Sequence, residues 1–244
     1  MIVSIFILFL IAYIFLIDKQ YSVFNLLHEQ KSDNTIVVID AGHGGFDPGK
    51  IGINKAIEKD INLSIAIKLK TLLEFHDIKV IMTRDEDKDL TSNSRSIQDM
   101  KKDDLNKRIK IINSSDTVVA ISIHQNSFTQ SSARGSQVFY YENSEKGRVL
   151  AEIIQDCLKE TMRDGNHRLA KPNNTYYLLK NSECPLVIVE CGFLSNKDEA
   201  EFLCNDEYQS RIAWAIHLGV MEYLNKFYSK DQEPIVNRHR IHKS

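Results

Sequence analysis

No two of the four cysteines, Cys157, Cys184, Cys191 and Cys204, are spaced as CxxC, so no cysteine-pair motif is present, and a chain of 244 residues has no need of disulfide staples. Cys157 and Cys204 fall in apolar helical patterns and Cys191 follows an apolar run, so they read as small buried hydrophobes. Charge of one sign is lacking too. The formal net charge is -2, which offers no basic field to draw in nucleic acid. There is no internal repeat, no second domain and no compact metal motif of the HExxH kind.

Apolar residues make up 43% of the chain and charged residues 26%, enough to bury a core. The apolar run at the N-terminus is the one break in this mixture. From Ile2 to Ile17 no residue is charged. A membrane-spanning helix needs about 20 apolar residues and a signal-peptide core about 7–15, so the stretch lies between the two. With no Lys/Arg before it and no small-residue cleavage site after it, residues 1–17 read as an uncleaved signal-anchor in preference to a cleaved signal peptide. Either reading exports the rest of the chain and ties the protein to a membrane at least during export. Residues 18–34 read as a linker, 35–228 as one catalytic domain and 229–244 as a disordered polar tail.

Within 35–228 strands and helices alternate. Ile36–Asp40 is a continuous apolar strand feeding a glycine-rich loop. Ile61, Ile65, Leu69, Leu72 and Leu73 recur at helical spacing over Asp60–Glu74. Strands are expected at 78–83, 117–123, 136–141, 176–179 and 186–190. Helices are expected at 104–112, 145–162, from an Asn196 cap through Leu203, and at 207–227. The charged stretch 84–104 reads as a surface excursion. The alternation predicts a three-layer α/β/α sandwich around a mixed, mainly parallel sheet, with its site at the carboxyl ends of strands.

Three strands end in residues that carry chemistry. Asp40 leads into Gly-His43-Gly-Gly, Ile123 into His124, and Val189 into Glu190. Glu58 opens the first long helix. Histidines and carboxylates are the ligands of hydrolytic zinc sites, which use three protein ligands and keep a position open. A carboxylate directly after four apolar residues, as at Glu190, is costly unless it is paired, near a metal or at a site. Singly each residue has a plainer account, a turn histidine or a solvated carboxylate, and spacing alone leaves the zinc reading open.

The segments IVVIDAGHGGFDPG (36–49), EKDINLSIAIKLK (58–70), MTRDED (82–87), DLNKRIKIIN (104–113), VAISIHQNS (119–127), ARGSQVFYY (133–141), YYLLKN (176–181) and VECGFLSNKDEAEFL (189–203) resemble, in order, those of zinc-dependent N-acetylmuramoyl-L-alanine amidases, which cut bacterial peptidoglycan. The resemblance implies a Zn2+ held by His43, Glu58 and His124, with Glu190 as catalytic acid/base. It implies hydrolysis of the amide between the lactyl group of N-acetylmuramic acid and L-alanine of the stem peptide. One departure is Gln125-Asn126-Ser127, where many members have Ala-Asn-Ala. Asn126 is kept and could contact substrate.

The single-domain plan, the polar stretch before Asp104 and Tyr176-Tyr-Leu-Leu-Lys resemble the germination-specific amidases of endospore formers, whose action lets muramic-δ-lactam form in spore cortex. That resemblance implies an extracytoplasmic place of work, such as the forespore intermembrane space, and an accessory protein for targeting or zinc loading. The competing readings are a vegetative division amidase or autolysin, a membrane-anchored peptidoglycan-binding protein with a vestigial site, and a zinc carboxypeptidase of similar topology. Arg84, Arg95 and Arg134 could touch stem-peptide carboxylates, although such residues are more often surface ion-pair partners. His167, His217, His239 and His242 have no matching motif, and His217 reads as structural.

Overall fold

Ile36–Ala41 (β1) is buried at every position, as a continuous β-branched run requires when both faces of a sheet are covered. In the computed structural model of the chain, residues 35–91, 96–114 and 116–228 are described. The N-terminal segment and linker read at 1–34, the tail at 229–244 and Arg95 lie outside them. β1 lies between Lys79–Met82 (β2) and Thr117–Asn126 (β3). Next to β3 comes Leu186–Phe193 (β6), then Gln137–Tyr140 (β4) and Lys171–Pro172 (β5). β2, β1, β3 and β6 run parallel, β4 is antiparallel to β6, and the two-residue β5 runs parallel to β4. The expected mixed, mainly parallel sheet is present.

One face of the sheet carries Glu58–Glu74 (α1), Glu145–Met162 (α3) and Asp206–Tyr228 (α6). α1 buries Ile61, Ile65, Ala66, Leu69 and Leu73. α6 is tied to it by Ser64 Oγ donating to Gln209 Oε1 at 2.6 Å, and packs on α3 where Gly219 meets Ile154. The other face carries Ile97–Ile112 (α2) and Tyr177–Asn181 (α4), whose Ile109, Ile112, Leu178 and Leu179 pack on Val38, Ala120 and Ile188 of the sheet. Asn196 caps Lys197–Leu203 (α5) as expected, its Oδ1 accepting from the Asp198 and Glu199 N–H groups.

β5 was not expected, β3 and β6 each run three residues beyond their expected ends, and two helices differ more deeply from the sequence reading. α2 begins at Ile97, seven residues before the expected Asp104 start. Its first two turns are solvated and carry no apolar period, so only the Ser96 cap, whose side chain accepts from Asp99 N, announces them. The expected strand at 176–179 is the helix α4. Adjacent Leu178 and Leu179 are both buried, which a strand with one covered face would not allow, and a four-residue apolar run has no period to decide the matter. The excursion at 84–104 is not wholly on the surface, because Arg84 and Asp104 are buried. Cys191 is buried as expected, but Cys204 is exposed, and all four cysteines are free.

Candidate metal centre

The site forms towards the carboxyl ends of β1, β3 and β6, where α1 begins. β1 runs into Gly42, whose N–H donates to Ile123 O at 3.1 Å. A Cβ at Gly42 would stand 2.3 Å from the His124 ring, so only glycine lets β1 pass this closely. His43 follows in the left-handed region at φ 63°, an uncommon conformation for a non-glycine residue. Its ring meets that of His124 edge to face, with centroids 5.0 Å apart.

Both imidazoles converge on one carboxylate oxygen. His43 Nε2 lies 3.2 Å and His124 Nδ1 3.1 Å from Glu58 Oε1. One ligand atom from each of the three residues lies within 4.8 Å of the others, a grouping that could hold a metal ion. Glu58 is buried and heavily supported. Its Oε1 accepts from Gln125 N at 3.1 Å and Asn62 Nδ2 at 3.4 Å, and its Oε2 from Lys50 N at 2.7 Å. A Cβ at Gly49, which has φ +69°, would come 2.6 Å from Glu58 Oε2, so the loop wraps this carboxylate only as glycine. Beyond His43, Nδ1 lies 2.8 Å from Asp47 Oδ2, and Asp47 Oδ1 lies 3.0 Å from Lys101 Nζ.

The electrostatics fit a cation. Burial opposes the ionised form of Glu58, but the His124 and His43 rings hold its carboxyl far below the ordinary range. Burial likewise opposes the charged form of His43, yet the Asp47 and Glu58 carboxylates raise it to about 9. The buried carboxylate of Glu58 thus draws positive charge towards itself, and two imidazole nitrogens with one carboxylate oxygen are a donor set that a divalent ion satisfies.

Glu190 faces this group across the sheet edge, opposite His124 in the β3–β6 register. Burial pushes its carboxyl up, assisted by the charge of Glu58 and opposed by His124. Tyr176 donates its OH to Glu190 Oε1 at 3.4 Å. The other oxygen, Oε2, is buried with no hydrogen-bond partner among the described residues. His43, Glu58, His124, Glu190, Asn126 and Tyr176 all line one open cleft of about 420 Å³.

Of the residues singled out in the sequence, His43, Glu58, His124, Glu190 and Asn126 come together here. Asn126 turns its Oδ1 to Ser127 N at 2.8 Å. Arg134 is not brought to the cleft and donates instead to Asp164 O at 2.8 Å. Arg84 is neither a substrate arm nor a surface ion-pair partner. It is buried and donates to the carbonyls of Ala41, Gly42, Lys59 and Glu86, so it fastens the loop that carries His43. Asp40 is likewise removed from the metal group, bound to Arg108, Thr83 and Ser122. Asp47, Lys101 and Tyr176 were missed as site residues. Asp47 follows His43 by four positions, a spacing that could have drawn notice, and Tyr176 opens the family-like segment YYLLKN, whereas nothing local to Lys101 signals its place.

Two histidines and a carboxylate that could hold a metal ion, with a separate buried carboxylate beside them towards the carboxyl edge of a mainly parallel sheet, are an arrangement that suits a hydrolase of α/β architecture. The family of N-acetylmuramoyl-L-alanine amidases matches over residues 37–222, and the chain belongs to that family. It is 36% identical over 192 residues to the germination-specific N-acetylmuramoyl-L-alanine amidase of Bacillus subtilis, covering 78% of this chain and 80% of that one. It is 28% identical to the amidase AmiA of Escherichia coli, covering 79% and 77%. Among solved structures, the CwlD amidase of Clostridioides difficile in complex with the GerS lipoprotein is 40% identical with a TM-score of 0.77, covering 79% of this chain and all (100%) of that one. The catalytic domain of CwlV from Bacillus (Paenibacillus) polymyxa is 28% identical with a TM-score of 0.68, covering 79% and 99%.

Proposed function

We propose that the protein hydrolyses the amide between the lactyl group of N-acetylmuramic acid and L-alanine in spore-cortex peptidoglycan, with His43, Glu58 and His124 holding Zn2+ and Glu190 as acid/base. The observation that carries this reading is the buried, unpartnered Oε2 of Glu190 in the same cleft as the three ligands. Zinc, when bound, supplies a Lewis acid for the scissile carbonyl and acidifies water. Glu190 takes a proton from the attacking water and returns it to the departing amine of L-alanine. The C–N bond breaks, leaving a lactyl carboxylate and a free stem peptide. The raised affinity of Glu190 for a proton suits a group that must both take and give one. Tyr176 donates to the opposite oxygen, Oε1, and so helps fix the carboxylate where it lines the cleft.

The cortex as substrate is supported by the likeness to the germination-specific relative. The likeness to an amidase captured with a lipoprotein supports an accessory protein as partner. An extracytoplasmic place of work follows from the substrate. Membrane attachment rests on the apolar run at 2–17, since among the described residues no helix is long and apolar enough to cross a membrane. The test is Glu190→Gln. The variant keeps one zinc per chain and loses about 10²- to 10⁴-fold in kcat, read by mass analysis of muropeptides from cortex and vegetative wall. Near wild-type release of stem peptides by the variant would remove Glu190 from the chemistry. Release from vegetative wall but not cortex would move the protein to the division and autolysis amidases.

A further inference from the structure

The loop after β1 closes on itself. Gly44 N donates to Asp47 O and Asp47 N to Gly44 O, each at 3.0 Å, so the backbone of Asp47 is locked to the residue next to His43. Its carboxylate is locked as well. Oδ2 lies 2.8 Å from His43 Nδ1, and Oδ1 lies 3.0 Å from Lys101 Nζ and 3.4 Å from Gly49 N. Lys101 stands on the same face of α2 as Asp104 and Arg108, at i, i+3 and i+7. Arg108 grips the other side of the same residue, with Nη2 donating to His43 O at 2.6 Å. One helix therefore holds His43 twice, at its carbonyl directly and at its ring through Asp47.

An imidazole has two nitrogens, and the one that binds metal is set by the hydrogen bond the other makes. We propose that Asp47 is a positioning residue that accepts the Nδ1–H of His43 and thereby presents Nε2, already turned towards Glu58, as the metal-binding nitrogen. The lock from Gly44 and Lys101 means this orientation exists before any metal arrives. Asp47 is not one of the metal-ligand group and acts through His43. The inference rests on the reading of His43 as a metal ligand.

The experiment measures zinc affinity by chelator competition in the full chain for wild type, Asp47→Asn and Asp47→Ala, with thermal melts of the metal-free proteins alongside. Loss of such an outer carboxylate weakens metal binding about 10- to 100-fold, and the metal-free melting temperatures stay near wild type. Zinc affinities of both variants within about twofold of wild type would overturn the proposal. A second measurement needs no variant. In wild-type protein labelled with ¹⁵N-histidine and loaded with ¹¹³Cd, the cadmium coupling falls on Nε2 of His43. Coupling through Nδ1 also overturns it. Should the wild type bind no zinc at all, the metal-ligand reading itself falls, and this one with it.

Discussion

At the scale of single residues the site is a matter of which carboxylate is supported and which is not. Glu58 accepts from Gln125 N, Asn62 Nδ2 and Lys50 N, whereas among the described residues Glu190 has only the 3.4 Å contact from Tyr176, and their surroundings separate their proton affinities in opposite directions. Tyr176 is therefore a sensitive point. Its hydrogen bond favours the ionised form of Glu190, so Tyr176→Phe raises the proton affinity of Glu190 further. The acid limb of kcat/KM then moves to higher pH, and at weakly acid pH activity falls by no more than about fivefold, as one long hydrogen bond to a charged group allows. A pH–rate profile of the variant that overlays wild type would show that Tyr176 does not touch the proton-transfer group.

At the scale of elements, packing decides where helices stand. Gly219 sits where α6 crosses α3, and an added Cβ would lie 2.7 Å from Ile154 Cγ1 and 2.9 Å from its Cα. Backbone cannot yield as a flexible side chain does. Gly219→Ala should gain about 1 kcal/mol of helix propensity and lose more than that to overpacking, about 1–3 kcal/mol. The expected outcome is a melting temperature several degrees below wild type with zinc stoichiometry unchanged. A stabilised variant would mean the two helices part easily. The helices that could be read in the sequence were those with an apolar period or a side-chain cap. α3 matched the expected 145–162, and α5 was announced by Asn196. α4 could not be read, because whether a short apolar run becomes helix or strand depends on what it packs against. The first turns of α2 could not be read either, because they face water and carry no pattern.

At the scale of the whole molecule, the buried pair of Asp40 and Arg108 joins β1 to α2 at 2.7 Å. Burial works against the charged form of Asp40, but Arg108, Ser122 and Thr83 lower its pKa from 3.8 to about 2. Because the folded value lies below the unfolded one, the stabilisation is present above about pH 4 and is lost as pH falls towards 2, a term on the order of 2 kcal/mol. Asp40→Ala should cost about 3 kcal/mol at neutral pH, since Arg108 loses one of its two carboxylates while buried, and should flatten the dependence of stability on pH in that acid range. Denaturant melts at pH 7 and pH 3 check this, and a variant as acid-sensitive as wild type would place the term elsewhere.

Arg84 and Asp40 show the division between what the chain alone tells and what folding adds. Both stand in motifs that mark the family, and both invite a role at the substrate or the metal. Burial assigns them instead to fastening the loop and β1. The amino-acid sequence by itself determined the alternating α/β pattern. Polar residues after apolar strand runs made His124 and Glu190 conspicuous, and the order of its family-like motifs pointed to His43 and Glu58 with them. Only the tertiary structure decided that one oxygen of Glu58 lies between two imidazoles, that Tyr176 reaches Glu190 and that Lys101 and Asp47 lie behind His43. Those contacts join residues up to 66 positions apart, as His124 and Glu58 are, and no local period or propensity records which distant side chains a closed sheet edge will bring within hydrogen-bonding reach.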